Sequence, residues 1–264
     1  MNKQVYDEFS RDYDRFVNWQ TRLAVEIPFI QKYLQRAEAQ NKRRAHLLDV
    51  ACGSGMHAIA LAKQGFITSG ADLSPKMIEK ANENAQAAGV KVNFREASFG
   101  NLQADLLDQP EFPYDMIICL GNSLPHLLST EQILTTLWDM ANCLNPGGYL
   151  LFQNRNFDAV LEQKERWIQP QSRREGDHEW IFLRFYDFDH DGLLTFNIMR
   201  LVRNGEDGWQ QHISSTRLYP LKRGVMTGLL EDSGFSDIAC FGSMSGEDFL
   251  PGSSENLVVV ARKV

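Results

Sequence analysis

Short apolar runs alternate with amphipathic helical segments between residues 45 and 155. A short apolar run between turn signals predicts a buried strand, and an apolar pattern that repeats every three to four residues predicts a helix. Strands that alternate with helices predict a mostly parallel sheet with helices on both faces, which is an α/β fold. The five strands predicted here are HLLDVA, FITSGAD, VKVNFRE, YDMIICLG and GGYLLFQN.

The helices between these strands carry residues that are typical of helix boundaries. Ser74 stands at the N-cap position of SPKMIEKANENAQAAG, Pro75 takes its first helical position, and Gly89 ends it. Gly65 ends the helix that follows the first strand, and TEQILTTLWDMANCL predicts a helix between the fourth and fifth strands. Each crossover between the strands is therefore long enough to hold a helix.

Residues 1–44 have the pattern of an amphipathic helical segment. Aromatic residues recur in it at intervals of about three or four, at Tyr6, Phe9, Tyr13, Phe16 and Trp19. Such a stripe predicts either a helix face that packs on the core or a helical lid over a ligand, and the two interpretations are compatible.

The pattern changes again after residue 156. Three strand-like runs follow, namely EWIFLRFYDF, LLTFNIMRLV and WQQHISSTRLYP, and turn signals DHDG and RNGEDG separate them; the insertion is assigned to residues 156–216. Consecutive strands with tight turns predict an inserted antiparallel three-stranded meander. Residues 217–264 return to the first pattern with the helix LKRGVMTGLLEDSG and the final strand ENLVVVARK. No linker interrupts the chain, so a single domain over residues 1–264 is predicted.

Composition narrows the classes of partner. The chain has 27 Lys and Arg against 34 Asp and Glu, a net charge of −7, which disfavours a protein that grips nucleic acid. Its first residues are too charged for a signal peptide, and no apolar run is long enough to span a membrane. The four cysteines lack the spacing of a metal or redox pair, as expected for reduced thiols. A soluble cytoplasmic protein with a small-molecule substrate is predicted, and no pattern indicates an oligomeric state.

A glycine-rich turn follows the first strand. Gly53 and Gly55 let the chain turn sharply into a helix, whose N-terminal N–H groups suit either a pyrophosphate or a carboxylate. Asp49 precedes the turn and would repel a pyrophosphate, whereas it would attract a cationic group. Asp72 ends the second strand, where a carboxylate can accept hydrogen bonds from both hydroxyls of a ribose.

These residues resemble the signature of the class I S-adenosylmethionine-dependent methyltransferases. The resemblance rests on DVACGSG (residues 49–55), on Asp72 and on the turn NPGG at 145–148, and it covers roughly residues 45–155. It implies S-adenosyl-L-methionine as the cofactor, with the glycine-rich loop around its amino-acid end and Asp49 near its amine. It also implies a Rossmann-like, mostly parallel seven-stranded sheet with an N-terminal helical lid, in which residues 45–155 form the cofactor-binding core.

A closer resemblance is to the glycine and sarcosine N-methyltransferases. It rests on CLGNSLPHL (119–127), NRNFD (154–158), RLYP (217–220) and EAS (96–98), and Ser98-Phe99 departs from the Asn-Trp that the family favours at the adenine. The family implies that Asn122 and Arg155 hold the carboxylate of the substrate. The cofactor residues that it implies are Arg22, Asp49, Ala51, Gly53, Gly55, Asp72, Met77, Ala97, Ser98 and Leu120.

No catalytic base or metal site is predicted. His57 and His126 have no acidic neighbour and no metal-ligand spacing in the sequence. His57 is expected to face solvent in the first turn of its helix, and His126 to cap a helix or bond to the backbone. The run DFDHDG begins like a calcium-binding EF-hand loop, but the position that should carry a bidentate Glu is Ile198, so a hairpin turn is predicted instead.

The predicted activity is transfer of a methyl group from S-adenosyl-L-methionine to a small acceptor. The leaving group of a sulfonium is already good, so the protein has mainly to align an unprotonated nucleophile and exclude water. By resemblance the acceptor is the amine of a small amino acid such as glycine or sarcosine. Other small-molecule O- or N-methyltransferases, a nicotinamide-dependent oxidoreductase and a cofactor-binding regulator remain as alternatives.

Overall fold

The computed structural model describes residues 17–264, which form a seven-stranded sheet and a four-stranded sheet. The first sheet contains β1 His46–Val50, β2 Ile67–Asp72, β3 Asn93–Glu96, β4 Tyr114–Cys119, β5 Leu144–Arg155, β10 Phe235–Phe241 and β11 Asn256–Lys263. The second contains β6 Trp167–Glu175, β7 His178–Phe188, β8 Leu194–Asn204 and β9 Gln210–Leu218. The helices are α1 Trp19–Asn41, α2 Met56–Lys63, α3 Pro75–Ala88, α4 Leu102–Leu106, α5 Thr130–Cys143, α6 Phe157–Gln163 and α7 Arg223–Asp232.

The seven-stranded sheet has the order β10-β11-β5-β4-β1-β2-β3. Strand β1 pairs in parallel with β2 on one side and with β4 on the other, whereas β11 runs antiparallel to both of its neighbours, β10 and β5. The chain reverses its direction across the sheet between β1 and β4, which opens a crevice at the carboxyl ends of the strands. The predicted mostly parallel seven-stranded α/β sheet is confirmed.

The boundary signals of α3 are also confirmed. The Ser74 hydroxyl accepts a hydrogen bond from the backbone N–H of Met77 at 3.2 Å, and Gly89 closes the helix in the left-handed conformation with φ of 68°. An N-cap hydroxyl satisfies one of the N–H groups that a helix leaves unpaired at its first turn, and glycine adopts a positive φ without strain.

The antiparallel insertion has four strands, so the prediction of three is wrong. The missed strand is β6, whose sequence WIQPQSRRE lacks apolar alternation because all of its residues except Ile168 are exposed. It is an edge strand that pairs only with β7, and the pairing is irregular between Ile168 and Gln171, on either side of Pro170. Proline cannot donate a ladder hydrogen bond and is therefore tolerated at such an edge. The predicted DHDG turn does join β7 to β8 as a hairpin.

Helix α1 covers the described part of the predicted N-terminal lid. Its buried face, which includes Ile30, Tyr33 and Leu34, packs against β1, β4, β5 and β11, so this part of the segment belongs to the core. The aromatic residues at positions 6, 9, 13 and 16 lie outside the described residues. None of the helices in the described part of the chain is long and apolar enough to cross a membrane.

The C-terminal end of α1 is fastened to the sheet by a buried carboxylate. Asp115 on β4 is fully buried, and Arg43 grips both of its oxygens, with each Nη–O distance 2.7 Å. Its Oδ1 also accepts from the side-chain amides of Asn41 and Asn145, at 2.9 and 3.0 Å. Its Oδ2 accepts from the backbone N–H of His46 at 2.9 Å. Five donors therefore meet on one carboxylate, at the edge of the sheet opposite the crevice.

Candidate functional site

A cavity of about 520 Å³ lies in the crevice, between the seven-stranded sheet and the antiparallel sheet. Eight of the predicted site residues line it: Arg22, Ala51, Gly53, Asp72, Met77, Leu120, Asn122 and Arg155. A second cavity of about 120 Å³ shares Ala51 and Asp72 with the first, and Ala97, Ser98 and Phe99 line it. The structure thus brings ten of the twelve predicted residues to two adjoining cavities.

Gly55 and Asp49 are the two predicted residues that line neither cavity. Gly55 has φ of 78°, and a Cβ built on it would lie 2.5 Å from Cζ of Phe94. Close packing beneath the loop and the left-handed backbone therefore both require glycine at this position. Ala51 and Gly53 also have positive φ, 60° and 54°, so the chain turns sharply between β1 and α2.

Asp49 lies beneath this loop as a buried carboxylate. Its residue is 2% exposed, and its Oδ2 has no hydrogen-bond partner among the described residues. Burial raises the pKa of Asp49 well above its ordinary value, the negative charge of Asp72 raises it further, and Arg22 acts in the opposite direction. A buried carboxyl group with one oxygen that lacks a hydrogen-bond partner favours a cationic group next to it.

Asp72 connects the loop to the end of β2. Its Oδ2 accepts a hydrogen bond from the backbone N–H of Gly53 at 2.8 Å, and its Oδ1 accepts from that of Ser74 at 2.9 Å. An ionised carboxylate can accept about four hydrogen bonds. Asp72 lines both cavities, where it can both hold the loop and accept from a ligand.

His57 corrects the expectation that neither histidine has an acidic neighbour. His57 lies in the first turn of α2, as predicted, but it is buried. Its Nε2 lies 2.5 Å from Oε2 of Glu26 on α1. Glu26 in turn accepts from Nε of Arg22, with both N–O distances 3.0 Å. The sequence could not show this contact, because Glu26 and His57 are 31 positions apart.

Burial lowers the pKa of His57, and its bond to Glu26 only partly offsets this effect. Burial also raises the pKa of Glu26, but the hydrogen bond and charge of His57 and the guanidinium of Arg22 outweigh it, so the net pKa lies below its ordinary value. The arrangement at neutral pH is therefore a neutral imidazole that donates to an ionised carboxylate.

Asn122 and Arg155 meet at the carboxyl ends of β4 and β5. Oδ1 of Asn122 accepts from the backbone N–H of Arg155 at 2.9 Å, so the amide fixes the end of β5. The Arg155 guanidinium pairs with Glu255 at 2.8 Å and with Glu165 at 3.1 Å, and its Nε has no partner among the described residues. Two glutamates therefore already lie beside this guanidinium.

The antiparallel sheet forms the far wall of the cavity. Ile168, Arg184 and Ile198 make one row across β6, β7 and β8, and Tyr186 and Phe196 make the next row. Burial lowers the pKa of Arg184, Tyr186 acts in the opposite direction, and the nearby positive charge of Arg155 lowers it further. Burial raises the pKa of Tyr186 to about 12, so its hydroxyl stays protonated at neutral pH. None of these wall residues was singled out from the sequence, although their alternation along each strand places them on one face.

His126 also lines the cavity, in the short 3₁₀ turn Leu124–His126 that follows β4. Burial lowers its pKa to about 4, so its imidazole is neutral at physiological pH. No group of three or more metal-ligating side chains occurs within residues 17–264. The described site therefore offers charged, amide and neutral imidazole groups for binding and orienting a ligand.

Comparison with known proteins gives one family for this arrangement. Residues 47–148 match the model of a methyltransferase domain. A putative methyltransferase of Geobacillus sp. (strain WCH70) is 32% identical over 261 residues, which is 95% of this chain and 99% of the relative. The glycine/sarcosine N-methyltransferase of Aphanothece halophytica is 26% identical over 264 residues, covering 98% of this chain and 90% of the relative.

Solved structures agree at the level of the fold. A crystal structure of an S-adenosylmethionine-dependent methyltransferase from Clostridium acetobutylicum has a TM-score of 0.74 and 17% identity. The superposition covers 98% of this chain and 99% of that protein, so both sheets are included in the likeness.

Proposed function

We propose that this chain, which belongs to the class I S-adenosylmethionine-dependent methyltransferases, methylates the nitrogen of a small amine that carries a carboxylate. Glycine and sarcosine are the first candidates, because relatives that cover nearly the whole chain carry these names. Family membership also decides between the two interpretations of the glycine-rich turn, in favour of S-adenosyl-L-methionine. The observation that carries the choice of acceptor is the pair of guanidiniums, Arg155 and Arg184, on the cavity wall.

The residues of the loop suit S-adenosyl-L-methionine, which supplies an activated methyl group when it is bound. The buried carboxylate of Asp49, whose Oδ2 has no partner in the described chain, suits the cationic amine of that molecule. The proposal assigns the ribose hydroxyls to Asp72, the adenine to the smaller cavity beside Ala97 and Ser98, and the carboxylate to Arg22.

The acceptor side has to hold an amine and keep water away from it. Ile168, Phe196 and Ile198 present apolar surface to the cavity, which favours exclusion of water. The positive charge of Arg155 lowers the pKa of Arg184, and a carboxylate between or beside the two guanidiniums would relieve that repulsion. Arginine also presents a planar fork to a carboxylate, which orients the ligand as well as binding it.

A screen of acceptors tests the proposal directly. The purified protein would be incubated with S-adenosyl-L-methionine and single amines, and methylated products would be detected by mass spectrometry. The panel would pair each amino acid with its decarboxylated amine, for example glycine with methylamine and alanine with ethylamine. Turnover of the amino acids alone supports the proposal. Preference for the decarboxylated amines, or for an alcohol, would refute the carboxylate-bearing amine while leaving the family assignment intact.

Arg155→Lys is expected to raise the Michaelis constant for the acceptor by about tenfold, because lysine keeps the charge but loses the fork. Affinity for S-adenosylhomocysteine should stay nearly unchanged, since Arg155 is assigned to the acceptor side. Steady-state kinetics and calorimetry on the same preparation measure the two effects. Arg166→Lys is the matched control, because Arg166 pairs with Asp187 on the surface and does not line the cavity. An unchanged Michaelis constant in the Arg155 variant would contradict the assignment.

Binding of S-adenosyl-L-methionine is expected to weaken as the pH falls and to release a proton. The raised pKa of Asp49 means that its carboxyl binds a proton readily in the free protein, whereas a cationic amine beside it favours the ionised form. Calorimetry in buffers with different heats of ionisation counts the released protons. The same titration with methylthioadenosine, which lacks the amine, should release none, and Asp49→Asn should abolish the difference. Equal proton release for both ligands would exclude Asp49 as the source.

A further inference from the structure

We propose that Glu26 and His57 are positioning residues that hold the Arg22 guanidinium in place for the carboxylate of the cofactor's amino-acid end. This inference rests on the proposed cofactor site and deepens it. The resemblance implies a role for Arg22 alone, and nothing in the sequence pairs it with residues from two different helices.

The contact between Arg22 and Glu26 fixes the direction of the guanidinium. The two residues lie four positions apart on α1, and both carboxylate oxygens are 3.0 Å from Nε of Arg22. Because Glu26 bonds to Nε, the terminal nitrogens extend beyond this contact toward the cavity. Nη2 lies 3.9 Å from the position of a Cβ built on Gly121, which also lines the cavity.

His57 connects this arrangement to the glycine-rich loop. It stands in the first turn of α2, immediately after that loop, and its imidazole bonds to Oε2 of Glu26. The ring of Trp19 stands edge-on to His57, with centroids 5.5 Å apart, and lies 5.4 Å from the Arg22 guanidinium carbon. The Glu26–His57 pair therefore ties α1 to the helix whose N-terminus borders the cofactor loop.

The Glu26–His57 pair preorganises the Arg22 guanidinium. Glu26 is 9% exposed, and a buried carboxylate is costly unless it is paired and hydrogen-bonded on several sides. A long arginine side chain also loses rotamer freedom when it binds a ligand, and a fixed guanidinium has lost that freedom in advance. The pair thus favours binding of a carboxylate without touching it.

Two ligands separate positioning from general support of the fold. S-adenosylhomocysteine carries the amino-acid end, and methylthioadenosine has the same nucleoside without it. Glu26→Gln is expected to weaken binding of S-adenosylhomocysteine by about tenfold, as measured by calorimetry, and to change binding of methylthioadenosine by less than about twofold. Arg22→Ala should give the same selective loss. The double variant should bind no more weakly than Arg22→Ala alone, since Glu26 acts through Arg22.

Glu38→Gln is the matched control, because Glu38 lies on the same helix but bonds to the backbone of Ala45, away from the cavity. His57→Phe and His57→Gln supply a second series should Glu26→Gln fold poorly: glutamine can still donate to Glu26 and should preserve most of the affinity that phenylalanine loses. Equal weakening of both ligands, or no weakening, would overturn the positioning role. If the unaltered protein bound neither ligand, the proposed cofactor site itself would fail.

Discussion

Asp72→Ala is expected to weaken binding of S-adenosylhomocysteine by about 30- to 1,000-fold, which corresponds to ~2–4 kcal/mol. The carboxylate is assigned two hydrogen bonds from ribose hydroxyls, and it also holds the loop through the backbone N–H groups of Gly53 and Ser74. The variant removes both contributions at once. Isothermal titration calorimetry measures the loss, and methylthioadenosine should lose affinity to a similar extent because it retains the ribose.

Glu96→Ala provides the control for this change. Glu96 ends β3 directly beside Asp72 in the register of the sheet, yet it is exposed and lines neither cavity. Its removal should leave both affinities within about twofold, as expected for an exposed charge that does not line the ligand cavities. Unchanged binding in Asp72→Ala would exclude this carboxylate from the ribose site.

Asp115→Ala is expected to lower the free energy of unfolding by about 2–4 kcal/mol, which lowers the Tm by roughly 5 to 15 °C. The fully buried carboxylate accepts hydrogen bonds from Arg43, two asparagine side chains and the backbone of His46. Alanine would remove the acceptor that these donors share. Arg43 is 44% exposed in its side chain, so water can replace part of its contact. Urea unfolding monitored by circular dichroism gives the free energy.

Glu83→Ala tests whether such a loss is specific to the buried site. Glu83 pairs with Lys80 at 3.3 Å on the surface of α3, and both side chains are largely exposed. Removing that carboxylate should change the free energy of unfolding by less than about 0.5 kcal/mol. Similar losses in the two variants would mean that Asp115 contributes no more than a surface charge.

The α/β core was predictable because local sequence determines each of its elements. Buried parallel strands appear in the sequence as short apolar runs. Helix α3 carries Ser74 and Pro75 where it begins and Gly89 where it ends. The edge strand β6 was not predictable in this way, since its polar side chains face water on both sides of Pro170. A strand with no buried face leaves no alternation in the sequence.

The candidate site likewise has residues that local sequence could locate and contacts that it could not. Asp72, Ala51 and Gly53 could be located because each ends or closely follows a predicted strand, and the carboxyl ends of parallel strands lie at one edge. The partners of these and other site residues depend on long-range packing. The contact of His57 with Glu26 crosses from α2 to α1, and the pairing of Arg155 with Glu255 joins residues 100 positions apart. Neither contact can be predicted from the spacing of the residues in the sequence.

The two walls of the larger cavity belong to separate sheets, and this has a consequence for how such proteins diverge. The rows that include Arg184, Tyr186 and Phe196 lie on strands that share no hydrogen-bonded ladder with β1 or β2. A substitution in those rows therefore alters one wall without moving Asp72 or the glycine-rich turn. After a gene duplication, one copy could acquire a new acceptor by drift and selection in the antiparallel sheet, while the inherited half of the cavity kept its original ligand.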